Sequence, residues 1–347
     1  MYPIRHPSHS LFVPLRGQNH HLRQWGRHPP GSTPLLLLHG WMDVSASWQF
    51  MLDAWPQAWL EQRLIVAPDW RGFGQTRPLA LRPGPANDPI THNDTGDTGD
   101  TPARNCPLSS PNDYGSADHY QFADYLADLD ALIAHLNTTL GRPAEAPIDL
   151  VGHSMGGNVA MLYAGIRPER VRRLVNVEGF GLPPSQPEQA PQRYARWLDE
   201  IRALREGALA LKSYPSAQAV AQRLRKTNPR LAPDKADWLA SHWAAPDASG
   251  QWQILGDAAH KIVNPQLYRA DEVLAVWASI RAPLLVLEAE ADSLGQWYRH
   301  GEYTRAQFHQ RLQVLPHCRI ERLPEAGHML HHDQPEALAA LLQDFLA

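Results

Sequence analysis

Cysteine is scarce in this sequence: Cys106 and Cys318 are the only two in 347 residues. A fold stapled by disulfides is therefore excluded. Cys106 falls in a loop-like stretch and Cys318 beside a strand-like one, so no bridge between them is expected. Long apolar runs are missing too. No stretch approaches the ~20 apolar residues of a membrane-spanning helix, and the opening Met1-Tyr2-Pro3-Ile4-Arg5-His6-Pro7 lacks the apolar segment of a signal peptide. Charge of one sign is also lacking. The formal net charge is −4, with no basic field that would draw nucleic acid or an anionic membrane and no long basic amphipathic lid suited to a lipid surface. With these absences a soluble, cytoplasmic protein, with no nucleic-acid or membrane partner, is the expectation. Hydrophobic residues, at 43% against 20% charged, provide for a large core in one large domain or two small ones.

What the chain does have is a set of short apolar runs, each closed by a turn. Ile148-Asp149-Leu150-Val151 leads into Gly152-His153-Ser154-Met155-Gly156-Gly157, and a helix-forming run follows from Asn158 to Ala164. G-x-S-x-G between a strand and a helix is the context of a nucleophile elbow. The turn strains the serine backbone and admits only small neighbours. It lifts the Ser154 hydroxyl clear of the sheet and aims the Met155 N–H at a developing oxyanion. Upstream, Pro34-Leu35-Leu36-Leu37-Leu38 ends in His39-Gly40-Trp41-Met42-Asp43 and reads as a central parallel strand buried on both faces. Its loop offers a second oxyanion donor, the Trp41 N–H. Leu64-Ile65-Val66-Ala67 runs into Pro68-Asp69-Trp70-Arg71-Gly72-Phe73-Gly74. Downstream, Leu284-Leu285-Val286-Leu287 precedes the acidic cluster Glu288, Glu290 and Asp292, and Arg319 to Leu323 leads into Pro324-Glu325-Ala326-Gly327-His328. Serine, acid and histidine thus follow one another in the order of a Ser–acid–His hydrolase on an α/β sheet.

Four segments together resemble the α/β-hydrolases: His39-Gly40-Trp41, Asp69 to Gly74, Gly152 to Gly157, and Ala326-Gly327-His328, the last continuing into Gln334-Pro335-Glu336. Within that family the stretch Val177-Glu178-Gly179-Phe180-Gly181-Leu182-Pro183 resembles the serine hydrolase-like proteins. The resemblance implies an α/β fold, with a mostly parallel central sheet, helices on both faces and an inserted helical cap. Residues 1–181 and 280–347 are read as the core and 182–279 as the cap, where prolines 215, 229, 233 and 246 interrupt helix-like stretches. An opening hairpin is expected over residues 11–26, and Tyr120 to Leu136 carries apolar residues at helical spacing. Residues 77–117 are rich in proline and hold the repeat Gly96-Asp97-Thr98-Gly99-Asp100-Thr101, the composition of a long flexible loop. Asp88, Asp94, Asp97 and Asp100 do not have calcium-loop spacing and are read as solvated. Six of the 12 tryptophans lie between Trp197 and Trp297, which hints at an aromatic substrate chamber, with packing as the reading for most of them.

The candidate chemistry is acyl transfer. Ser154 is the nucleophile and needs a base within hydrogen-bond reach. Among 18 histidines, His328 follows the last strand, where a side chain reaches over the sheet edge. His331 and His332 are nearby competitors, read as flanking the terminal helix, and His153 is read as a packing or pocket residue. The family position after the Pro283–Leu287 strand implies Asp292 as the acid that orients the imidazole, in preference to Glu288 and Glu290. Glu178, at the end of the preceding strand, is the alternative. A metal at His328, His331, His332 and Asp333 is set aside because the grouping is local and a water-activating zinc would make the elbow serine redundant. No cofactor is implied. The expected activity is hydrolysis of a carboxylic ester of a small or medium apolar substrate through an acyl-enzyme. The alternatives are a carbon–carbon bond hydrolase or amidase with the same residues, and a catalytically silent binding protein.

Overall fold

A computed structural model of the chain describes residues 2–79, 114 and 119–347. Most of the 77–117 segment lies outside the described residues, with Cys106, Asp88, Asp94, Asp97 and Asp100. In chain order the strands are β1 (His9–Leu15), β2 (Gln18–Gly26), β3 (Leu35–Leu38), β4 (Leu64–Pro68), β5 (Arg77–Pro78), β6 (Ile148–His153), β7 (Val171–Val177), β8 (Ser213–Tyr214), β9 (Ala244–Pro246), β10 (Trp252–Ile254), β11 (Leu284–Ala289) and β12 (Cys318–Leu323). The main sheet runs β1-β2-β4-β3-β6-β7-β11-β12, with β5 alongside β2. β1 and β2 form the expected antiparallel hairpin, and β2 meets β4 antiparallel. From β4 to β12 every pairing is parallel.

The leucine run explains the centre of this sheet. Leu35, Leu36, Leu37 and Leu38 are all fully buried, as a parallel strand covered on both faces requires. Alternation along the strand sends them to different layers. Leu36 and Leu38 join one apolar cluster with Leu129, Val159, Trp277 and Phe308. Leu35 and Leu37 join another with Met51, Leu52, Leu338 and Leu342. The helices that cover the two faces follow from these clusters. In chain order they are α1 (Gln49–Ala54), α2 (Gln57–Leu60), α3 (Phe122–Thr139), α4 (Met155–Ile166), α5 (Ala190–Arg205), α6 (Ala217–Thr227), α7 (Pro233–Trp243), α8 (Ala270–Trp277), α9 (Ser293–Trp297), α10 (Arg305–Leu312), α11 (Leu330–Asp333) and α12 (Pro335–Leu346). No helix among the described residues is long and apolar enough to cross a membrane.

Between β7 and β11 the chain makes α5 to α8 and a small antiparallel sheet, β8-β10-β9. The insertion is therefore not helical throughout. Strands of two or three residues carry no readable period, which is why the sequence suggests helices alone. Val220, Leu231, Leu239 and Ile254 of the insertion pack with Val44 and Phe50 of the core. α8, although inside 182–279, belongs to the core layer. A Cβ on Gly165 of α4 would lie 2.1 Å from the Val276 carbonyl oxygen, and Trp277 sits in the core cluster.

The topology also places the site. The chain reverses direction across the sheet at β3, which lies between β4 and β6. Loops leaving the carboxyl ends of β3 and β6 therefore diverge around a crevice, the usual ligand position in such sheets.

Candidate active site

β6 ends at His153, and Ser154 follows with φ 52° and ψ −116°, a left-handed conformation that costs energy for any residue with a side chain. The surroundings hold it there. The Ser154 N–H donates to the Val177 carbonyl at 2.8 Å, and its own carbonyl accepts from Asn158 N–H at 3.0 Å. A Cβ on Gly152 would lie 2.2 Å from the Gly156 carbonyl oxygen, and one on Gly156 would lie 2.3 Å from the Leu38 carbonyl oxygen. Both glycines are thus required by backbone approach. Met155 is the first residue of α4, so its N–H has no partner within the helix and carries the positive end of the helix dipole.

The loop after β3 is fixed by His39. Its buried ring accepts from Trp70 N–H at Nε2 (3.0 Å) and donates from Nδ1 to the Gly40 carbonyl (2.8 Å), while Trp70 Nε1–H donates to the His39 carbonyl at 3.0 Å. A Cβ on Gly40 would lie 3.2 Å from Cβ of Ser154. The Gly40–Met42 loop therefore abuts the serine, and Trp41 borders the same chamber as Ser154. Asp69 braces the neighbouring loop by accepting from Ser45 N–H, Gln75 N–H and His21. Burial pushes its carboxyl upward, but His21 and these donors outweigh burial and hold it well below the usual carboxylate range.

His328 lies between β12 and α11, with a quarter of its side chain exposed. The acid beside it is Glu178. His328 Nδ1 is 3.2 Å from Glu178 Oε2, and Glu178 also accepts from Ala289 N–H (2.7 Å) and the Ser293 hydroxyl (2.6 Å). Glu178 immediately follows β7 with φ 55°. That turn aims its buried carboxyl across the end of β11.

Asp292, the acid expected from the sequence, is not brought to His328. Asp292 caps α9, accepting from Gly295 N–H at 3.1 Å, and its side chain is 54% exposed. The next residue, Ser293, is the one that turns inward, and it turns toward Glu178. Glu288 pairs with His309 at 2.6 Å, and Glu290 accepts from Glu325 N–H. Neither reaches His328.

Burial lowers the His328 imidazole to about 4 and raises the Glu178 carboxyl, so the ring is neutral at pH 7 and able to accept a proton. His153 is buried beneath it, and its Nε2–H donates to the His328 carbonyl at 2.8 Å. His331 and His332 are buried as well, both hydrogen-bonded to the Ser47 hydroxyl. Asp333 is taken up by Gly327 N–H and Asn228, so the four-residue grouping His328, His331, His332 and Asp333 does not form.

Ser154 and His328 face one chamber of about 670 Å³. The insertion lines it with Leu224, Leu231, Leu239, Trp243 and Ile254, and also with the charged Lys212, Arg223 and Lys261. Trp297 stands edge-on to the His328 ring, with centroids 4.5 Å apart. Trp41, Trp243 and Trp297 border the chamber, whereas Trp238 and Trp277 are buried in packing. His153, read from the sequence as a packing or pocket residue, borders the chamber, whereas Ser293 and Asp43 are residues that sequence reasoning missed. Their only signal is adjacency to recognised motifs.

Comparisons with known proteins bear on the family and the fold. A family model described as the alpha/beta hydrolase family matches residues 35–341. The chain is 24% identical over 336 residues to a serine hydrolase-like protein of Danio rerio, spanning 96% of this chain and 85% of that protein. It is 26% identical over 251 residues to an sn-1-specific diacylglycerol lipase of Mus musculus, spanning 67% and 69%. Among solved structures, a thioesterase domain from the curacin biosynthetic pathway superposes with a TM-score of 0.71 over 97% of this chain and 99% of that chain, at 22% identity. That likeness speaks to the fold.

Proposed function

The chain belongs to the alpha/beta hydrolase family, and on that footing we propose that it is a serine-dependent hydrolase of carboxylic esters with a small or medium apolar acyl group. One observation carries the reading. A strained, chamber-facing Ser154 shares its chamber with an imidazole whose Nδ1 is tied to a buried carboxylate. The apolar residues Leu224, Leu231, Leu239, Trp243 and Ile254 in the chamber lining support an apolar acyl group, and residues 182–279 serve, apart from α8, as the cap that shapes it. The diacylglycerol lipase among the relatives is named for cleaving an ester.

The steps follow from these positions. With its proton on Nδ1 and directed to Glu178, His328 presents Nε2 as the base. Ser154 Oγ attacks the carbonyl carbon as Nε2 takes the hydroxyl proton. The carbonyl electron pair moves to oxygen, where the Trp41 and Met155 N–H groups receive it. Collapse breaks the bond to the leaving alcohol, which His328 protonates. A water, deprotonated by His328, then attacks the acyl-Ser154, and a second collapse releases the acid and restores the serine. Glu178 holds the tautomer and offsets the charge of the transient imidazolium.

Fluorophosphonate labelling of the folded protein tests the proposal. Wild type is expected to label, Ser154→Ala not at all, and His328→Ala at a rate lower by about 10²-fold or more. Unlabelled, well-folded wild type would overturn it in favour of a silent binding protein. Labelling without turnover of any p-nitrophenyl ester would move the reading to amide or carbon–carbon bond cleavage.

A further inference from the structure

Behind His328 lies a cluster that the proposed reaction does not use. Asp43, His153 and His331 are all buried, and each offers a ligand atom within 4.8 Å of the other two. Their hydrogen bonds leave lone pairs without donors. Asp43 Oδ1 accepts from Val44 N–H at 2.9 Å, while Oδ2 has no hydrogen-bond partner among the described residues. His153 must carry its hydrogen on Nε2, because that nitrogen donates to the His328 carbonyl. Its Nδ1 is then a bare lone pair, and it too lacks a partner. His331 Nε2 lies 3.0 Å from the Ser47 hydroxyl and 3.8 Å from Asp43 Oδ2, and its Nδ1 is unpartnered.

With the one hydrogen of neutral His331 on Nε2 and directed to Ser47, its Nδ1, His153 Nδ1 and Asp43 Oδ2 are lone pairs without a donor in a dry interior. Buried polar atoms left in that state require an explanation, such as an ion. We propose that Asp43, His153 and His331 bind one divalent transition-metal ion of the zinc class. Two imidazoles and a carboxylate suit such an ion, whereas calcium and magnesium prefer oxygen ligands alone. Each ligand is also oriented by a second hydrogen bond, to Val44 N–H, the His328 carbonyl and the Ser47 hydroxyl, as ligating side chains usually are. Asp43 and His153 border the chamber, which gives the ion a route in and an open coordination position for water. The ligand set differs from the local His328, His331, His332 and Asp333 grouping that the sequence suggests, because Asp43 and His153 arrive from the loops after β3 and β6. This site stands apart from the acyl-transfer reading, since zinc binding needs no active Ser154.

Equilibrium dialysis and calorimetric titration of chelator-stripped protein with Zn²⁺ test the proposal, with Co²⁺ as a spectroscopic probe. One equivalent is expected to bind with intense visible Co²⁺ bands of low coordination number. Binding should weaken about tenfold or more in Asp43→Asn and in His331→Gln, and remain unchanged in a control at the exposed His300, His300→Ala. Circular dichroism checks folding, and if Asp43→Asn fails to fold, His331→Gln carries the test. No tight equivalent, or one that survives in a folded ligand variant, would overturn the site and leave water or surface histidines as the occupants.

Discussion

A carboxylate that orients an imidazole must itself be held still, and Glu178 is held by Ala289 N–H and the Ser293 hydroxyl as well as by His328. Replacing it with glutamine keeps the shape but loses the charge and the tautomer. Glu178→Gln is therefore expected to lower kcat by about 10²–10⁴-fold, while the solvent-facing Asp292→Asn stays close to wild type. Equal loss in both, measured on p-nitrophenyl esters, would count against the assignment. The pH profile belongs at this scale too. The base works only when neutral, so activity is full at high pH and is lost as pH falls through the His328 value. Burial takes that value from the ordinary 6.5 down to about 4, so the acid limb of kcat/KM should lie below pH 6.5. A limb above it would contradict the account. Ser154 and His328 are legible in the sequence because glycines fix their backbone surroundings. The acid is not. Choosing between Glu178 and Asp292 depends on a positive φ at the end of β7 and a single-residue offset after β11, and neither leaves a mark in residue type.

At the scale of elements, the elbow is a contact between backbones. α4 can approach β3 only because Gly156 has no side chain. Gly156→Ala forces a Cβ against a carbonyl that β3 cannot move, and overpacking of this kind costs about 1–3 kcal/mol or more. Urea unfolding should register that loss together with a loss of fluorophosphonate labelling. A variant as stable and reactive as wild type would show that the elbow is looser than described. The sequence revealed the elements whose pattern their burial dictates. β3 and β6 appear as apolar runs, and α3 (Phe122–Thr139) as the spacing that begins near Tyr120. It concealed β8, β9 and β10, which are too short for any period, and the exact bounds of α5, which buries none of its residues. The insertion is shaped by what it covers, which sequence periodicity does not record.

Over the whole molecule, several imidazoles are folded into the interior. His39, His153, His331 and His332 are buried, and burial lowers all four. In the unfolded chain these groups take up protons below about pH 6.5, whereas in the folded chain they stay neutral to lower pH. The unfolded state then binds more protons, so stability rises with pH across that window and is lost as pH falls below the ordinary imidazole value of about 6.5. Thermal unfolding should show Tm dropping steeply from pH 7 to pH 5, and a flat Tm would contradict the burial of these rings. The central claim is that this fold holds Ser154 as a nucleophile turned over by His328 and Glu178. Rapid mixing with a p-nitrophenyl ester, followed by acid quench and peptide mapping, tests it most directly. The account predicts a p-nitrophenol burst and an acyl group on the Ser154 peptide, both absent in Ser154→Ala. Ester turnover that persists in Ser154→Ala, or an acyl group mapped to another residue, would contradict it.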